Sequence, residues 1–71
     1  MDLDIEFEEW WLAYPRKEGK ADARKAFGLA RRLTDLDVLK SSARAYGERV
    51  PKVEQGLPGG WLRGERWGEF L

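Results

Sequence analysis

The stretch PRKEGKADARKAFGLAR, residues 15–31, sets Arg16, Lys17, Lys20, Arg24 and Arg31 on and just after a proline turn. Long cations spaced along one helix face can neutralise successive phosphates and release their counterions, which is the chemistry of nucleic-acid contact. Immediately before them stands EEWWLAY, and an exposed indole beside an arginine can stack on an unpaired base for about 1–3 kcal/mol. An exposed Trp with neighbouring Arg residues, here Trp10 with Arg63 and Arg66, would equally make a hot spot for a protein partner. Other chemistries lack their residues. There is no His and no Cys, so catalytic triads, thiolates and His-ligated metals are excluded. Ser41 and Ser42 lie mid-helix among Lys40 and Arg44 with no base to activate them. The acids of residues 2–9 lack the ligand spacing and turn glycine of a calcium loop, and GGWLRG lacks the Lys and Ser/Thr of a phosphate loop. The expectation is a non-enzymatic protein with no catalytic residue, metal, cofactor or small-molecule substrate.

The formal charge is zero, but it is segregated. Residues 1–14 hold five acids and no base, and residues 15–32 hold seven bases against two acids, so −5 is followed by +5. Three readings follow: a phosphate-binding face, an ordinary solvated helix surface, or an acidic first helix paired with a basic second one. Exposed pairs of the last kind are worth under about 1 kcal/mol each. With 71 residues, a chain buries only about 60% of its unfolded surface. Without disulfides or metal, stability then rests on four Trp, three Phe and two Tyr. The acidic N-terminus has no apolar signal region, and no apolar run approaches the ~20 residues of a membrane span. A cytoplasmic setting, without a membrane partner, is expected.

The elements that must position these groups are helical. A first helix over residues 4–14, capped by Asp4 and stopped by Pro15, places Phe7, Trp10, Trp11 and Tyr14 on one aromatic face. A second over residues 20–33 buries Ala23, Ala26, Phe27, Ala30 and Leu33 and lines its other side with cations. A third over residues 35–49, capped by Thr34, faces inward with Leu36, Leu39, Ala43, Tyr46 and Val50. Residues 51–71 are rich in Gly and Pro but keep Trp61, Leu62, Trp67, Phe70 and Leu71, which predicts a loop, a short helical turn and an aromatic hook. The fold class is therefore all-α: a small three-helix domain closed by that hook. Its structural core is expected from Phe7, Trp11, Tyr14, Phe27, Leu39, Tyr46, Trp61 and Trp67. Adjacent Trp10 and Trp11 point about 100° apart, so one is expected inside and the other partly covered by Trp61 or Trp67.

Two separated motifs also resemble a module of bacteriophage and prophage replication proteins. FEEWWLAYPRKEGKADARKAF is similar to its aromatic helix, Tyr-Pro-basic turn and Gly-Lys entry to an Ala-rich basic helix. GGWLRGERW is similar to its closing Trp-Leu-Asn-Gly-Glu-Arg-Trp string. The matched positions run from Trp11 through the Tyr14–Lys17 turn and Gly19 to Phe27, and from Trp61 to Trp67. Departures are Trp10 for a more usual Phe, Gly59 and Gly60 for Ala and Thr, and Arg63 for Asn. The module typically sits at the C-terminus of replisome organisers or replication initiators, behind a DNA-binding part. That part is absent here, so the chain is either a fragment or a stand-alone relative.

The resemblance implies an accessory role in phage DNA replication inside the bacterial host. Contact with single- or double-stranded DNA through Arg16, Lys17, Lys20, Arg24 and Arg31 is the leading expectation. Docking on a replicative helicase, its loader or another host protein is the alternative, favoured by the acidic first helix. A third reading is a phage inhibitor whose acidic helix occupies a host DNA-binding groove.

Overall fold

Residues 2–70 are described by a computed structural model, and among them there are four α-helices, two 3-10 segments and no strand. Leu71, one of the tail's apolar residues, lies outside the described residues. Helix α1 (Leu3–Ala13) begins one residue earlier than its acidic pattern implies, because Asp2 and not Asp4 is the cap. The Asp2 carboxylate accepts the Asp4 N–H at 2.9 Å, satisfying one orphan donor of the first turn. The helix ends where Pro15 requires: Tyr14 is extended, at φ −76° and ψ 132°.

Gly19 then takes a left-handed conformation, φ 66°, and opens α2 (Lys20–Ala30). This helix stops three residues short of Leu33. The amides of Arg32, Leu33 and Thr34 tighten onto the carbonyls of Leu29 and Ala30, so Leu33 swings outward and is 64% exposed instead of buried. Helix α3 (Leu36–Arg49) is preceded by Asp35 at the cap position, displacing Thr34 from that role. A 3-10 turn (Lys52–Glu54) follows, then the short helix α4 (Pro58–Arg63), with Pro58 at its tolerated first position. Glu65, at φ 53°, reverses the chain into a closing 3-10 segment (Arg66–Phe70).

Helix α4 packs across α2, the closing segment across α3, and α1 lies against both α2 and α3. All nine aromatic rings join one network. Its centre is Trp61, with ring centroids 6.1 Å from Trp10, 5.4 Å from Tyr14, 5.8 Å from Tyr46 and 6.4 Å from Trp67. Ala23, Ala26 and Ala30 give this thickness of rings room by presenting a thin side of α2. The expected core residues Phe7, Trp11, Tyr14, Phe27, Leu39, Tyr46, Trp61 and Trp67 are all buried.

Two tyrosine hydroxyls tie this core to the loop before α4. Tyr14 Oη donates to the Gly56 carbonyl at 2.7 Å, and the Gly56 amide donates to Tyr46 Oη at 2.7 Å. Burial, with the neighbouring Tyr46 adding to it, raises the Tyr14 phenol above its ordinary value. The neutral form is thus required in the fold, so stability holds below pH 10 or so and falls as pH rises beyond it. The expected slope is about 1.4 kcal/mol per pH unit from this one group. Tyr14→Phe should lose about 1–2 kcal/mol at neutral pH by leaving the Gly56 carbonyl unpaired, yet flatten the alkaline limb. Denaturant melts from pH 8 to 11 check both halves.

Candidate functional surface

The expected phosphate contacts are not an open row. Antiparallel packing of α1 on α2 brings the acidic and basic stretches edge to edge. Arg24 Nε lies 2.6 Å from Asp4, Lys20 Nζ 3.1 Å from Glu8, and Arg31 Nε 2.7 Å from Glu6. Glu9 reaches across to Lys40 on α3 at 3.3 Å. Arg16 pairs with Glu18 at 2.5 Å and donates to the Gln55 carbonyl at 2.8 Å. Lys17 folds back to donate to the Tyr14 and Leu12 carbonyls, where the negative end of α1 receives it. Lost hydration there pushes the Lys17 ammonium below its ordinary value. Arg16, Lys17, Lys20, Arg24 and Arg31 therefore each have an acceptor inside the protein, and the outward cationic row becomes an ion-pair seam.

The exposed-tryptophan hot spot is also corrected. Trp10 is fully buried, stacked on Tyr14 at 5.1 Å and packed on Phe27 and Trp61. Trp11 is the tryptophan at the edge, still only 9% exposed, with Lys20 Nζ 5.7 Å from its ring centre. Arg63 makes a two-pronged pair with Asp22, both contacts at 2.9 Å, which clamps α4 to the start of α2. Those hydrogen bonds hold the Asp22 carboxyl below the usual carboxylate range. Gly59, a departure from the Ala of the resembled pattern, leaves room for this pair: a Cβ here would fall 2.1 Å from Asp22 Oδ2, and the carboxylate would have to shift. Arg66 pairs with Glu69 at 3.1 Å and lies over the Tyr46 ring. Trp10 thus belongs to the folding core, whereas the Arg63 and Arg66 side chains stay at the surface, 53% and 39% exposed. The reason is size: a chain this short has no staple except its rings, and it draws them inside.

The concave surface lies elsewhere, around the Tyr-Pro-basic turn. Two concavities of about 470 and 480 Å³ flank Pro15 and share Pro15, Lys52 and Gln55 in their walls. Arg16, Lys17 and Val53 line the first, and Arg49, Val50 and Pro51 line the second. The floor is rigid: Gln55, 6% exposed, donates its side-chain amide to the Val50 carbonyl at 3.1 Å. Lys52, Val53 and Gln55 escape sequence reasoning because PKVEQG reads as an ordinary polar loop, and Arg49 because it reads as the polar end of the third helix. The one local signal is Val53, a β-branched residue among polar neighbours, which is 94% exposed. Among the described residues, no group of three acids is placed to hold a metal ion, and no helix is long and apolar enough to cross a membrane.

These features define a small all-α module, ring-cored, charge-locked at one helix seam and grooved at its proline turn. The chain belongs to the family of the Legionella vir region protein LvrA C-terminal domain, whose model matches residues 2–64. No curated protein and no solved structure matches it.

Proposed function

We propose that the chain is a non-enzymatic accessory module that docks a protein partner, in the setting of mobile-element DNA replication, with a replicative helicase or its loader as first candidates. The replication setting is supported by the two resembling motifs. The docking mode is supported above all by the α1–α2 seam: three of the five bases that would bind phosphates, Lys20, Arg24 and Arg31, lie against the carboxylates of α1. Each surface pair is weak, so a phosphate could displace it, but the displaced carboxylate stays nearby and cancels the attraction. The family, a C-terminal domain of a vir-region protein, is compatible with a module carried by a larger protein.

Two measurements on the full chain separate docking from DNA contact. Anisotropy with labelled single- and double-stranded oligonucleotides at about 50 mM salt should show no binding at micromolar protein. Saturable binding whose log K falls against log salt with a slope of about −4 would instead indicate some five phosphates engaged and favour DNA contact. Titration with purified helicase and loader should show saturable binding to one of them, and failure with both would reject these candidates.

A further inference from the structure

We propose that the groove flanking Pro15 binds an extended acidic peptide segment of a protein partner, with an apolar residue set between its carboxylates. This deepens the docking reading and rests on it. Charge is the first ground. Among the described residues Arg49 and Lys52 have no carboxylate partner within salt-bridge distance, unlike the cations of the α1–α2 seam. Together with Arg16 and Lys17 they give the two concavities four bases against Glu18 and Glu48. The excess is positive, and two of its members are available.

Apolar surface is the second ground. Val53 stands 94% exposed on the 3-10 turn, where it contributes nothing to the core. Pro15 rises between the two concavities, and Val50 and Pro51 continue the apolar wall on the far side. A side chain laid on Val53 and Pro15 would remove this surface from water while flanking carboxylates reach Lys52 and Arg49. A nucleic-acid backbone has no use for that apolar wall.

Preorganisation is the third. Arg16 and the Gln55 side chain hold the backbone at residues 50 and 55, and the two tyrosines hold Gly56. The groove therefore needs little ordering when a peptide arrives, which lowers the cost of binding.

The test is a random peptide display on the immobilised full chain, followed by titration of an enriched, labelled peptide. Acidic peptides with an aliphatic or aromatic residue should be enriched. Their affinity should fall about tenfold or more in Lys52→Glu and in Val53→Ser, with melting unchanged because both positions are exposed. NMR amide shifts should cluster at Arg16, Lys17, Arg49, Val50 and residues 52–55. No enrichment, enrichment of neutral or basic peptides, or affinity indifferent to both variants would overturn the proposal. An oligonucleotide shifting the same amides at lower concentration than the peptide would overturn it in favour of nucleic acid. Helicase or loader binding retained in Lys52→Glu would defeat the groove while leaving docking intact. Absence of any such binding by the wild-type chain would reject the helicase and loader as partners, a failure separate from that of the groove.

Discussion

Trp61→Ala should remove roughly a third or more of the chain's stability. Trp61 is 2% exposed and is the ring on which Trp10, Tyr14, Tyr46 and Trp67 converge. Removing such a side chain costs about 3–5 kcal/mol from lost transfer energy and the cavity left behind. At roughly 0.05–0.15 kcal/mol per residue, a domain of this size has only about 4–10 kcal/mol in total. The deletion also frees α4, since Trp61 and Leu62 are the buried residues that hold this short helix in place. Circular dichroism on heating should show the transition lowered by roughly 12–40 °C, at about 4–8 °C per kcal/mol, and near-native melting in Trp61→Ala would refute the central role given to this ring. Trp61→Phe should keep the transition at a lower temperature, because an aromatic face still meets Tyr14 and Tyr46.

Arg31→Ala should cost about 2–3 kcal/mol, far more than removal of Lys20 or Arg24. Glu6 is the one buried acid of the seam, its side chain 6% exposed, against 75% for Asp4 and 58% for Glu8. Arg31 also donates to the Thr34 carbonyl at 2.7 Å, bracing the turn between α2 and α3. Its loss strands the Glu6 carboxylate without a partner, whereas loss of Lys20 or Arg24 returns an exposed acid to water. A paired Glu6→Leu, Arg31→Met chain should recover most of the loss, because it removes both charges and keeps the volume. Urea melts of the single and double variants measure this directly, and equal costs for Arg31→Ala and Lys20→Ala would contradict it. The same contrast matters for any binding assay: reduced binding by Arg31→Ala reports on folding before it reports on a ligand.

The aromatic stripe of α1, the break at Pro15 and the thin alanine face of α2 were all legible in the sequence. Each follows from spacing along one helix or from a single residue's backbone restriction. Three local features were misjudged where neighbouring residues compete for one role: Asp2 against Asp4, Asp35 against Thr34, and the end of α2 at Ala30 against Leu33. Trp10 and Trp11 show the same limit at the level of packing. Both lie on the apolar side of α1, and only the position of Trp61 decides that Trp10 is central and Trp11 peripheral.

The candidate site was less legible than the fold. The charge pattern marked the cations of the turn and second helix but not what meets them: the partners of Lys20, Arg24 and Arg31 stand 12, 20 and 25 residues away. The groove joins the proline turn to a loop beyond α3, and no sequence window contains both. By itself, then, the sequence determined that this chain is helical, where its first helix must stop, and that rings replace disulfides and metal as its source of cohesion. Tertiary structure alone decided which cations are cancelled and which stay open, and which surface is concave. The physical reason is that helical period orients a side chain about its own axis, whereas the crossing of two helices decides what that side chain meets.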